Sequence, residues 1–161
     1  QPSSLFVKFA ADFYLYAVQQ LEAAGYRQYE ISNFARPGHE GRHNLLYWNC
    51  NDYWGIGPAA HSCVDNVRRF WPGDVQGFID GTIHEEIEGD CTVEDYLLMQ
   101  LRLVSGLDIA EYERRGGRFT AAQRAFMRQC VGHEYATLDG NVLRLTPAGM
   151  VVQNAILAEL M

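Results

Sequence analysis

The sequence predicts an α/β region followed by a mostly helical, winged-helix-like region, on three observations. A long helical pattern near the start is followed closely by a β pattern, the repeating unit of an α/β layer. A run of capped helical patterns begins after Cys91. The turn signal Asp139-Gly140-Asn141 then interrupts those helices before the last one, in the order helix, helix, helix, hairpin, helix.

The first helix is expected from about Ser4 to Ala24. Phe6, Phe9, Phe13, Ala17 and Ala24 recur at helical spacing, with Gln20 a polar interruption, and Ser3 or Ser4 is a candidate cap. Gly25 stops it. Tyr26 to Phe34 read as one strand, with Tyr29 and Ile31 on one face and Glu30 and Ser32 on the other. Arg36-Pro37-Gly38 opens a loop. Small residues from Gly55 to Cys63 suggest a strand that something approaches closely. Asp65-Asn66 is a turn leading to a short strand through Phe70 and Trp71, which Pro72-Gly73 ends. A short helix from Val75 to Asp80 precedes the acidic stretch Glu85 to Asp90, read as a solvated linker.

Beyond it, Thr92-x-x-Asp95 resembles a capping box for a helix running to Ser105, with Gly106 as its stop. Asp108-x-x-Glu111 opens a short helix ending at Gly116-Gly117, and Thr120-x-x-Gln123 opens another ending near Gly132. Tyr135 to Leu138 and Val142 to Leu145 form the hairpin. Thr146-Pro147 caps a final helix that runs to the terminus. The domain boundary is expected at 90, giving regions 1–90 and 91–161.

With 161 residues and 48% hydrophobic content, the chain suits one ordinary domain or two small ones. Its net charge is −7 and Lys8 is the sole lysine, which disfavours a nucleic-acid or anionic-membrane partner. Cys50, Cys63, Cys91 and Cys130 form neither a C-x-x-C pair nor a disulfide framework, and read as reduced thiols of a cytosolic protein. No apolar run reaches transmembrane length. A first residue of Gln1, entering an amphipathic pattern almost at once, reads as a cut into a longer protein.

Four segments carry candidate chemistry. In Arg42-His43-Asn44-Leu45-Leu46-Tyr47-Trp48 an imidazole suits iron ligation, two aromatic rings suit a flat macrocycle, and a guanidinium suits a propionate. The same residues also fit a structural role, with His43 and Asn44 capping a loop and Tyr47 and Trp48 filling a core. Gly55-Ile56-Gly57-Pro58-Ala59-Ala60-His61-Ser62 permits close backbone approach by a ligand, or tight packing of a strand. It is no phosphate loop. His39, His43, Cys50, His61 and Cys63 are zinc-ligand types without a familiar zinc spacing. Arg114, Arg115, Arg118, Arg124 and Arg128, with Arg144 on the wing, suit either a DNA-binding winged helix or a solvated helix face.

Taken in order, Tyr29-Glu30-Ile31-Ser32-Asn33-Phe34-Ala35, Arg42-His43-Asn44-x-x-Tyr47-Trp48 and Gly55-x-Gly57-Pro58-x-Ala60-His61-Ser62 resemble the HemW branch of the HemN/HemW family of radical S-adenosylmethionine proteins, the oxygen-independent coproporphyrinogen III oxidase family. Leu101-Arg102-Leu103 with Gly106-Leu107-Asp108, and Leu145-Thr146-Pro147-Ala148-Gly149, resemble the family's C-terminal domain. The resemblance implies the last helix–strand units of a partial β/α barrel followed by that domain. It implies S-adenosylmethionine and a 4Fe-4S cluster in the full-length protein. The cluster's Cys-x-x-x-Cys-x-x-Cys loop is not in this sequence, so the fragment is not expected to hold the cluster or to be catalytic alone.

Coproporphyrinogen dehydrogenases carry Phe-Gln where Asn44-Leu45 stands and Ile where His61 stands, so the resemblance implies a haem chaperone that delivers haem to respiratory proteins. The implied haem-binding residues are Arg42, His43, Asn44, Tyr47, Trp48, Gly55, Gly57, Ala59, Ala60 and His61, with His43 nearest the iron. Ala59 stands where relatives have Gly and is expected in ordinary extended conformation. Removal of a neighbouring parallel strand would leave the Tyr29–Phe34 edge to be covered by self-association or by rearrangement of the 1–24 helix.

Overall fold

Helix α1 (Ser4–Ala23) begins the described part of the chain, since this computed structural model describes residues 4–161, with the backbone alone at 4–7. Ser3 and the side chains of Ser4 and Phe6, used in the helical reading, lie outside the described residues. Contacts divide the chain into two compact units. One holds the chain up to Gly41 together with Gln100–Met161; the other is Arg42–Met99. The early residues therefore cluster with the C-terminal segment, where sequence texture alone suggested a break at 90.

In the first unit α1 packs on strand β1 (Arg27–Glu30), and the Tyr14 hydroxyl bonds the Ile31 carbonyl at 3.1 Å. The single strand expected from Tyr26 to Phe34 is instead an antiparallel hairpin of β1 with β2 (Asn33–Ala35). Its cause is Glu30, which is fully buried and accepts from the Ser32 amide at 2.9 Å and the Asn33 side-chain amide at 2.5 Å, folding the chain over at Ile31–Ser32. The outer edge meets residues 102–104. Ile31 N–H donates to the Arg102 carbonyl at 2.9 Å and Val104 N–H to the Tyr29 carbonyl at 3.1 Å. The chain itself thus supplies the cover that the sequence reading sought in a second copy or in a rearranged 1–24 helix.

Those same bonds stop helix α4 (Val93–Gln100) short of the Ser105 end expected for it, because backbone groups at 102 and 104 are spent on the hairpin while Leu101 and Leu103 turn inward. Two-residue strand β6 (Leu107–Asp108) follows, hidden in the sequence between a glycine stop and a helix cap. Asp108 caps α5 (Ile109–Arg114), and a Thr120/Gln123 capping box starts α6 (Ala121–Gly132). The hairpin β7 (Ala136–Asp139) and β8 (Val142–Leu145) forms as expected and joins β6 in the order β6-β8-β7. The closing helix is two: α7 (Pro147–Val151), capped by Thr146, and α8 (Gln153–Leu160). Val152 N–H reaches back to the Gly149 carbonyl at 3.1 Å, a tight turn that breaks the continuous helix expected there. Leu101, Leu103, Leu107, Leu143, Leu145 and Met150 contribute to the core of this unit.

The second unit contains α2 (Arg42–Trp48), a three-stranded antiparallel sheet, the short helix α3 (Val75–Ile79) and α4 as far as Met99. Strands β3 (His61–Val64) and β4 (Val67–Phe70) join at Asp65-Asn66, both at positive φ, as the turn signal required. The small-residue strand expected from Gly55 is extended only from His61. The acidic linker is in fact a third strand, β5 (Glu86–Asp90), paired with β4. Its acids meet bases: Glu88 lies 3.7 Å from Arg68 and 3.5 Å from His61. Among the described residues no helix is long and apolar enough to cross a membrane.

Candidate functional site

All ten residues implied to bind haem fall in the second unit, in two groups, whereas His39 and the arginines offered to DNA fall in the first. Arg42, His43, Asn44, Tyr47 and Trp48 lie on α2, a helix of seven residues none of which is buried. Cys50 takes a left-handed φ of 51° just past its end, where Asn49 also bonds the Leu45 carbonyl at 2.8 Å. Four-residue spacing stacks His43 over Tyr47 on one helix face. The Tyr47 hydroxyl lies 2.9 Å from Nε2 of His43, with ring centroids 4.7 Å apart edge to face. Tyr53 completes the cluster at 4.1 Å from Tyr47 and 6.4 Å from His43.

Tyr53 is the residue that sequence reasoning missed. Its backbone exchanges two hydrogen bonds with Cys63, at 2.8 and 3.0 Å, so the α2 rings are tied to the strand that begins with His61. No local spacing foretells that pairing. Burial first, then the neighbouring Cys63 and Tyr47, push the Tyr53 phenol up to about 12.

The second group is built on the 55–62 loop. A Cβ on Gly55 would sit 2.2 Å from the His61 carbonyl oxygen, so the absent side chain there serves the chain's own backbone. Buried Ser62 accepts from the Gly55 amide at 3.1 Å and donates to Glu85 at 2.9 Å. Gly57 and Ala60 close a turn, with the Ala60 amide bonded to the Gly57 carbonyl at 3.0 Å. Ala59 takes a φ of 60°, contrary to the extended conformation expected, because its amide is turned toward the Trp71 carbonyl at 3.1 Å. His61 is 54% exposed, stacks on its cross-strand partner Phe70 at 5.9 Å, and points Nδ1 toward Glu88.

Chemically, both imidazole rings are exposed, and Nε2 of His43 is engaged by Tyr47. With a proton on Nε2 donated to Tyr47, His43 keeps a lone pair on Nδ1. Trp54 and Ile56, 65% and 85% exposed, add apolar surface in the connecting loop. The zinc reading fails: among the described residues no three His, Cys, Asp or Glu side chains converge, and Cys63 meets Cys91 at 3.1 Å. Five of the six arginines offered to DNA have partners within the chain, Arg114 and Arg115 with Glu111, Arg124 with Glu113, Arg118 with backbone carbonyls and Arg144 with Asp139. A cavity of about 570 Å³ among Tyr26, Arg27, Pro37, Val104 and Met150 belongs to the other unit and includes no predicted site residue.

Comparison with known proteins adds four findings. The HemN C-terminal domain family model matches residues 92–152. The curated protein named heme chaperone HemW from Mycobacterium tuberculosis is 32% identical over 88% of this chain and 37% of its own length. The mouse protein radical S-adenosyl methionine domain-containing protein 1, mitochondrial, is 54% identical over 55% of this chain and 19% of its own. The fold matches solved coproporphyrinogen III oxidase (HemN) from Escherichia coli, titled a radical SAM enzyme, with a TM-score of 0.65 at 17% identity, covering 99% of this chain and 42% of that one. The chain therefore spans less than half of each of these proteins.

Proposed function

Because the chain belongs to the HemN/HemW family and carries its C-terminal domain, we propose that it forms the haem-handling part of a HemW-type chaperone whose cargo is haem and whose recipients are respiratory proteins. The supporting observation is the exposed imidazole of His43 held edge to face against Tyr47 and backed by Tyr53. In this reading His43 lies nearest the iron and ligates it through Nδ1, with Tyr47 fixing the tautomer from the other nitrogen. Tyr47 and Trp48 pack on the macrocycle, Asn44 orients its edge, and exposed Arg42 meets a propionate. Gly57, Ala59 and Ala60 supply low walls beside His61, while Gly55 keeps that wall close to the strand.

In the whole protein we assign residues 1–90 to the last helix–strand units of a partial β/α barrel that uses S-adenosylmethionine, and the 4Fe-4S cluster to sequence outside these residues. The four cysteines here lack the cluster spacing, and among the described residues no donor set converges to hold a metal. We assign the winged-helix-like region 91–161 no nucleic-acid partner, given the acid-paired arginines.

Ferric haem titrated into the protein and into His43→Ala is the test. The expected result is saturable binding with a shifted Soret band in the native protein, weakened roughly tenfold or more in the variant. Equal affinity with an unchanged spectrum would remove His43 from the site. The alternative is that the family's coproporphyrinogen III oxidase activity belongs to the whole protein, which the HemN fold fits as well. Decarboxylated product formed from coproporphyrinogen III by the whole protein would establish it.

A further inference from the structure

Among the described residues two cysteine side chains meet, those of Cys63 and Cys91. Their sulfurs lie 3.1 Å apart, 28 residues apart in sequence, and both are free thiols. Cys63 lies within β3 and Cys91 directly after β5, the two outer strands of the site's sheet. Both positions are fixed by backbone bonds that leave little freedom to drift. Cys63 exchanges two with Tyr53, and the Cys91 amide donates to the Asn66 carbonyl at 2.8 Å. A disulfide needs sulfurs about 2.05 Å apart, so closing the pair takes roughly 1 Å of side-chain movement.

We propose that Cys63 and Cys91 are a reversible redox modification site, a dithiol that closes in place to an intramolecular disulfide and staples the sheet carrying His61 and Tyr53. The co-reactant is a low-molecular-weight disulfide. Cys63 is only 5% exposed, whereas Cys91 is partly exposed and takes the first step. Its thiolate attacks one sulfur of the small disulfide, forming a mixed disulfide and expelling one small thiolate. Deprotonated Cys63 then attacks the Cys91 sulfur, the protein disulfide forms, the bond to the small molecule breaks, and a second small thiolate leaves. The protein gives up two protons and two electrons, and the small disulfide becomes two thiols.

Burial, then the bond to Cys63, push the Cys91 thiol up to about 12, so the first attack is slow at neutral pH and quickens as pH rises. Such a pair stays reduced under brief exposure and closes under sustained oxidation, the behaviour of disulfides where thiols are normally kept reduced. Closure reaches the aromatic cluster through Tyr53, whose backbone pairs with Cys63 and whose ring meets Tyr47 at 4.1 Å.

Incubation of the protein with oxidised glutathione, from pH 7 to 9, followed by intact-mass and peptide mapping, tests this. The expected product has lost two hydrogens, contains a Cys63–Cys91 linked peptide, forms faster at higher pH, and reverts with a reductant. It also melts roughly 10 °C above the reduced form. Cys91→Ser should abolish the cross-link, whereas Cys50→Ser and Cys130→Ser should leave it. Glutathione adducts at Cys50 or Cys130 without the Cys63–Cys91 link would overturn the proposal. So would a linked form that melts below the reduced one, because that pair would be strained on closing.

Discussion

Ala59 adopts a left-handed backbone that disfavours any side chain, at φ 60°. Its amide is aimed at the Trp71 carbonyl, so the strain is imposed by a contact across the loop. Ala59→Gly should therefore stabilise the protein by about 0.5–1 kcal/mol, the steric relief exceeding the added entropy of the unfolded glycine. Urea unfolding measures it, and a lower midpoint for Ala59→Gly would refute the strain. At this scale the sequence marks candidates by residue type. His43, Tyr47 and His61 stand out by side chain alone, and the structure exposes both imidazoles. It was silent where a neighbour across the fold decides, as with the φ of Ala59 or the burial of Tyr53.

Elements with local signals formed where the sequence put them. Capping boxes at Thr92 and Thr120, the Asp108 and Thr146 caps and the two hairpin turns depend on residues within a few positions. Elements depending on distant partners did not. Residues 102–104 gave up a helix to pair with the segment at Tyr29–Ile31, and β5 formed against β4 where a linker was expected. Strand β5 was masked by its charge, although the alternation Glu86-Ile87-Glu88 carried the period of a strand.

Asp95 gives an element-scale test, because its carboxylate closes the Thr92 box and holds Arg68 at 2.9 Å. Burial would raise its pKa, but hydrogen bonds from Thr92 and the charge of Arg68 outweigh it and hold the group below the usual carboxylate range. Asp95→Ala should cost about 1–2 kcal/mol at neutral pH. A folded-state pKa depressed in this way contributes stability above the ordinary aspartate value near ~3.9, and loses it as pH falls through the folded value. The gap between native protein and variant should hence narrow in acid. A gap that stays constant from pH 7 to pH 3 would count against the assignment.

Across the whole molecule, sequence texture suggested a single break at 90, whereas contacts gather Arg42–Met99 into one unit and the flanking segments into another. That division cannot be read from linear composition, because residues 102–104 pair with the β1 segment far upstream. The candidate haem residues Arg42 to His61 all lie in one unit, and the 570 Å³ cavity lies in the other. Hydrogen–deuterium exchange with and without ferric haem separates them most directly. Haem held by the α2 cluster should protect residues 42–62 and leave Tyr26, Arg27, Val104 and Met150 exchanging as before. Protection confined to those cavity residues, or none anywhere at saturating haem, would contradict the haem-handling role proposed for His43 and its aromatic neighbours.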